Sequence, residues 1–148
     1  MNSESKRPDA VAFLRGGAEA PRLSGQLRFY QEKRCVRVVA DVSGLPADNE
    51  SGFFALHIHE GGSCSGADFA RTGGHYNPGG AEHPGHAGDL PPLLSCGGRA
   101  HLALRTDRFR VGDILGRTAV IHGGPDDFRT QPAGNAGRKI ACGVIRRG

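Results

Sequence analysis

The sequence predicts an all-β fold: an eight-stranded antiparallel β-sandwich or barrel that carries two long functional loops. Three observations predict it. Short apolar or alternating segments recur between clusters of turn residues. Glycine is abundant, at 24 of 148 residues, and tryptophan is absent, a composition of short strands and tight loops. No helix-periodic pattern runs longer than a turn or two. The length suits one domain over 9–148, behind a flexible N-terminus at 1–8.

The strands follow in order. Segments 10–15 and 23–30 are the first two. The third, 36–42, alternates cleanly: Val36, Val38, Ala40 and Val42 share one face, with Arg37 and Asp41 on the other. The fourth is 53–59. Strands at 93–96 and 99–105 flank Gly97-Gly98, a hairpin signal. Segments 117–122 and 140–145 complete the set. Between them lie two long stretches with little strand character, 60–90 and 123–137. Long loops in a compact domain usually carry function, and the first is rich in Gly, His and Pro.

Composition narrows the function. The formal net charge is +4 and the sequence pI is near 9.2, a mild field that suits a small anionic substrate. Nucleic acid is not indicated, because the basic residues are scattered and the aromatics do not interleave with them. No run of about 18 apolar residues could span a membrane. The start, MNSESKRPDA, has no apolar signal core. The expectation is therefore a cytoplasmic chain, or an extracytoplasmic one if a leader has been removed. Of the cysteines, Cys35, Cys64, Cys96 and Cys142, none forms C-x-x-C, which disfavours a zinc knuckle or a thioredoxin-like motif.

The histidines carry the chemistry. Six of the seven fall in order with one aspartate: His57, His59, His75, His83, His86, Asp89 and His122. On a strand, His57 and His59 point to one face, roughly 7 Å apart, while Phe54, Leu56 and Ile58 point to the other. The apolar face feeds the core, and the imidazoles face outward under the loops. His122 ends another strand and can approach the same point. His75, His83, His86 and Asp89 offer three imidazoles and a carboxylate, the closed tetrahedral shell of structural zinc. His83-Pro-Gly-His86 is no zincin helix, because Pro and Gly break it and no Glu follows the first His. A His75 that also reached His57, His59 and His122 would complete a four-nitrogen set that suits Cu(II). Spacing alone leaves that bridging open.

The segments FFALHIHEGGSC, GGHYNP, HPGHAGDL, GRTAVIHGGPDDF and GNAGRKIACGVI resemble, in order, the signature segments of copper–zinc superoxide dismutases. The resemblance spans most of the chain from Phe53 to Ile145. It implies an immunoglobulin-like Greek-key barrel that binds copper and zinc and dismutes superoxide to oxygen and hydrogen peroxide. It implies copper at His57, His59, His75 and His122. It implies zinc at His75, His83, His86 and Asp89, with His75 as a catalytic bridge. Asp126 matches the carboxylate that links His57 to His83. Cys64 and Cys142 match the intrasubunit disulfide. Cys35 and Cys96 match no family role and read as small buried or half-buried residues. His101, away from every motif, reads as a surface residue.

The chain departs from the family in places. Three residues before the second disulfide cysteine, where relatives usually carry an active-site Arg, stands Lys139, with Arg138 before it. Lysine offers a point charge where arginine offers a planar fork. Neighbours on an extended segment point opposite ways, so Arg138 cannot replace Lys139 unless the backbone bulges. The expectation is Lys139 as the steering cation and a slower enzyme. Arg129 is the only basic residue between His122 and Gly137, which again predicts weaker guidance. A homodimer is compatible with the chain but not indicated, since Arg146-Arg147-Gly148 stands where many relatives have an apolar tail. Two alternatives remain at this level: a non-enzymatic copper or zinc carrier, and a domain that loads copper into a partner.

Overall fold

In the computed structural model, which describes residues 6–148, the chain forms eight antiparallel strands. They are β1 (Ala10–Gly16), β2 (Ser24–Gln31), β3 (Val36–Ser43), β4 (Phe53–His59), β5 (Asp89–Leu94), β6 (Ala100–Thr106), β7 (Thr118–His122) and β8 (Lys139–Arg147). Residues 1–5 of the expected flexible N-terminus lie outside the described residues. One turn of helix, α1 (Val111–Ile114), and a 3₁₀ segment, Ala67–Thr72, complete the elements. The expected all-β class holds.

The spatial order is β5-β4-β7-β8-β1-β2-β3-β6. The crossovers from β3 to β4 and from β6 to β7 make it a Greek key, and the sheet curls until its end strands β5 and β6 approach. β5 and β6 are joined by the expected hairpin, in which Cys96 pairs with Arg99 and both turn glycines have positive φ, 59° and 83°. They form no ladder, so the barrel is nearly closed rather than sealed.

One strand differs from the sequence reading. β5 runs over Asp89–Leu94 instead of 93–96, and so contains Pro91 and Pro92. Proline cannot donate to a ladder and discourages a strand assignment, yet an edge strand tolerates it and is protected by it. The shift matters, because it puts Asp89 at the head of a strand, opposite His57.

Alternate residues of every strand fill one interior. Leu14, Leu27, Phe29, Val38, Phe54, Leu56, Ile58, Ile121 and Ile145 are all buried there. β4 and β7 are covered on both sides. Their inner faces pack in the barrel, and their outer faces lie beneath the two long loops. The 60–88 loop returns over β4: Tyr76 donates to Ile58 O at 2.8 Å and Ile58 donates to Gly88 O at 2.8 Å. A Cβ on Gly88 would stand 2.2 Å from Ile58 O, so only glycine allows the loop to lie this close. A disulfide between Cys64 and Cys142 ties the same loop to β8 across 78 residues. Closing a ring of that size stabilises the fold by roughly 4–5 kcal/mol in the chain-entropy model. The other two cysteines are free. Cys35 is half-buried, as expected, but Cys96 is exposed, because it sits at the rim of the β5–β6 turn.

Candidate metal centre

The outer face of β4 presents His57 and His59, and β7 ends in His122 beside them. His75 arrives from the loop through an isolated antiparallel bridge to His59. All four are buried, and one ring nitrogen from each lies within 4.8 Å of the others. That spread fits four nitrogens around one ion, since bonds of about 2.0–2.1 Å put opposite ligands about 4 Å apart.

Each ring's other nitrogen is already committed. His59 Nδ1 donates to Gly73 O at 2.8 Å, and His122 Nδ1 donates to Gly137 O at 3.1 Å. Both rings therefore aim the Nε2 lone pair inward, and these two nitrogens lie 3.2 Å apart. Two lone pairs at that distance repel unless a cation stands between them. His57 Nε2 donates to Asp126 Oδ2 at 2.8 Å, which leaves Nδ1 as its inward atom. His57 Nδ1 and His75 Nε2 are buried with no hydrogen-bond partner. Burial pushes His57 and His59 down to about 2 and His122 to about 4, so no proton fills this gap at neutral pH. Buried polar atoms without partners are rare and call for an ion or a water. The donor set fits a metal.

A second convergence adjoins the first. His75 Nδ1 lies 2.8 Å from Asp89 Oδ1 and 3.2 Å from His86 Nδ1. Asp89 Oδ2 lies 3.1 Å from His83 Nδ1 and 3.2 Å from His86 Nδ1. Tetrahedral zinc with bonds of about 2.0–2.1 Å requires donor separations of about 3.3 Å. His83 Nε2 donates to Asp126 Oδ1 at 2.7 Å, which leaves Nδ1 as its free acceptor, and that atom has no hydrogen-bond partner. His57 lies near enough to be grouped with His75, His83 and Asp89. His86 also belongs to this second set, because its Nδ1 adjoins two of the donors, His75 Nδ1 and Asp89 Oδ2. Burial pushes the Asp89 carboxyl up, but the hydrogen bond from His75 and the charges of His75, His83 and His86 together outweigh it and hold the group below its usual range.

His75 has one nitrogen in each convergence. Asp126 receives one imidazole N–H from each set on its two oxygens, and its side chain is only 1% exposed. His101, by contrast, is 65% exposed and donates to Asp41 on the far face.

β8 brings only one of the two candidate cations close to the histidines. Its register shifts by one between Ile121 and His122, so Lys139 stands opposite His122. Lys139 Nζ donates to Thr72 Oγ1 at 2.7 Å and to Gly73 O at 3.1 Å. Gly73 O is also the acceptor for His59, so the ammonium is one carbonyl removed from the first set. Partial burial lowers its pKa. Arg138 points away, pairing with Glu19 at 2.7 Å and reaching Asp68 at 3.5 Å. The structure does not bring Arg138 to the histidines.

Several residues that shape the site left no signal in the sequence. Gly73 and Gly137 act through carbonyl oxygens, and Thr72 through a buried hydroxyl. Gly134, at φ 70°, lies over the His83–Asp126 hydrogen bond, and a Cβ there would stand 2.0 Å from Asp126 Oδ1.

Comparison with known proteins agrees with this geometry. Residues 23–145 match the family model described as copper/zinc superoxide dismutase. A copper–zinc superoxide dismutase of Aquifex aeolicus is 35% identical over 140 residues, covering 82% of this chain and 78% of the relative. Another, of Deinococcus radiodurans, is 35% identical, covering 84% and 78%. A copper chaperone for superoxide dismutase of Mus musculus is 34% identical over 93% of this chain, but the match spans 53% of that protein. Among solved structures, a copper/zinc superoxide dismutase from Brucella abortus superposes with a TM-score of 0.77 over 91% of this chain and 98% of that one. At 24% identity that likeness concerns the fold.

Proposed function

The chain belongs to the copper/zinc superoxide dismutase family, and from that premise we propose that it converts two superoxide anions and two protons into oxygen and hydrogen peroxide. Copper would be held by His57 Nδ1, His59 Nε2, His75 Nε2 and His122 Nε2. Zinc would be held by His75 Nδ1, His83 Nδ1, His86 Nδ1 and Asp89. When bound, copper supplies a one-electron redox couple, and zinc supplies a fixed positive charge without redox chemistry of its own.

The chain's own residues do the rest. His75 would be the bridge, and its Nε2, unpartnered in the fold, is the atom that could take up a proton and hand it to the product. Asp126 fixes the tautomers of His57 and His83 together, so the two sets are oriented by one carboxylate. Lys139 attracts the anionic substrate to the rim beside His59 and His122. Its single ammonium is already shared between Thr72 and Gly73, so fewer donors remain for the substrate than a guanidinium would offer. Turnover should therefore be slower than in relatives with arginine there.

The observation that carries this reading is the double placement of His75, with Nδ1 against Asp89 and Nε2 unpartnered among the other histidines. The similarity to copper chaperones favours one alternative, a domain that passes copper to a partner. A complete four-nitrogen set with a second-sphere carboxylate favours the enzyme. Metal analysis and a superoxide-decay assay on one sample test the two. One copper and one zinc per chain with rapid decay supports the dismutase, and bound metal with decay no faster than that of the metal-free chain supports the copper-passing domain.

A further inference from the structure

The second convergence depends on a loop that contributes no ligand to it. His83 sits on the 60–88 loop, while the side chains that hydrogen-bond it, Gln131 and Asp126, come from the 123–138 loop. Gln131 meets the His83 backbone twice: its Oε1 accepts from His83 N–H at 2.8 Å, and its Nε2 donates to His83 O at 2.8 Å. The remaining hydrogen on Nε2 goes to Arg129 O at 3.0 Å, which fixes the amide in its own loop. The imidazole of His83 makes a third bond across the same gap, from Nε2 to Asp126 Oδ1 at 2.7 Å. Main chain and ring are thus both held from one side, and what remains unpartnered on the ring is Nδ1.

We propose that Gln131 is a positioning residue for the zinc ligand His83, aligning its main chain so that the ring, oriented by Asp126, aims Nδ1 at the ion. The inference rests on the zinc reading above. A residue held on a strand needs no such support. His57 and His59 are fixed by β4, His122 by β7, and His75 by its bridge to His59, so the first set should not feel the loss of Gln131. His83 has no strand to hold it. Two amide hydrogen bonds in a part-buried site, satisfying both polar groups of one residue, are the substitute.

The test uses the full chain, freed of metal, with Co(II) as the probe for the zinc set and Cu(II) for the other. Affinities are read by competition with a chromophoric chelator, and Co(II) geometry by its visible absorption. Gln131→Met keeps the side-chain size without the hydrogen bonds. It is expected to weaken Co(II) binding by roughly 10–100-fold, the usual loss when an outer-sphere partner is removed. The intensity of the tetrahedral Co(II) bands should fall, with Cu(II) affinity unchanged. Gln131→Glu can still accept from His83 N–H but cannot donate to His83 O, so it should fall between wild type and the Met variant. Co(II) affinity and spectrum equal to wild type in both variants would overturn the proposal. So would equal losses for Co(II) and Cu(II), the mark of general loosening. A wild-type chain that gives no tetrahedral Co(II) spectrum would instead overturn the zinc reading itself.

Discussion

Replacing Asp126 with leucine removes a carboxylate that two imidazoles share, and keeps a side chain of similar size. The carboxylate accepts from His57 Nε2 at 2.8 Å, from His83 Nε2 at 2.7 Å and from Phe128 N at 2.8 Å. Its side chain is 1% exposed, so water cannot replace these bonds freely. Charge-assisted hydrogen bonds of this kind are worth about 1.5–3 kcal/mol each. Without an acceptor, each ring can move its proton to Nδ1, where it blocks the metal. The loss divides unequally between the sets. His57 is locked in β4 by its ladder to β5 and β7, whereas His83 rides on a loop. Zinc affinity should fall by roughly 100-fold and copper affinity by roughly 10-fold, the two ends of the range for outer-sphere carboxylates and equivalent to about 2.7 and 1.4 kcal/mol. Chelator competition on the metal-free chain, with each metal in turn, measures both. Zinc binding equal to wild type would refute the reasoning, and so would a larger loss for copper than for zinc.

Other consequences can be checked separately. Lys139→Ala should lower superoxide dismutation by roughly tenfold and flatten its dependence on ionic strength, the lower end of the range for electrostatic steering. Lys139→Arg should raise activity, and no change in rate or salt dependence for either variant would remove Lys139 from the mechanism. Gly134→Ala should weaken zinc binding, because its Cβ would stand 2.0 Å from Asp126 Oδ1 and 2.5 Å from His83 Nε2. Retention of wild-type zinc affinity would show that the loop yields at no cost. The metal-free chain should lose stability as pH falls below about 6.5, the ordinary histidine value. His57 and His59 titrate near 2 and His122 near 4 in the fold, so between pH 6.5 and 4 the unfolded chain binds the extra protons. Each ring then costs up to about 1.4 kcal/mol per pH unit. Urea midpoints that stay level from pH 7 to 5 would contradict this.

Much of the fold was legible because alternation with a period of two is a direct record of which face is buried. β3 shows it most clearly, with Val36, Val38, Ala40 and Val42 facing inward as expected. β5 was misplaced because Pro91-Pro92 argues against a strand, and only its position at the sheet edge makes the prolines harmless. The two-turn glycines Gly97 and Gly98 were readable, since a two-residue hairpin demands positive φ at both. Cys96 was misjudged, because exposure at a turn depends on what packs over it.

The types and order of the candidate ligands were determined by the sequence alone. Metal chemistry accepts few side chains, so six histidines and an aspartate in series can be recognised before any geometry is known. What the tertiary structure decided is which ring atom of each residue is hydrogen-bonded and which is left free. Gly73 O and Gly137 O select the tautomers of His59 and His122, and a backbone carbonyl is the same atom in every residue, so it leaves no trace in composition or spacing. That Lys139 and not Arg138 lies beside the histidines goes with a one-residue register shift in the β7–β8 ladder. Such a shift turns a side chain to the opposite face while changing no residue, and only the folded ladder, where β7 and β8 pair, can set it.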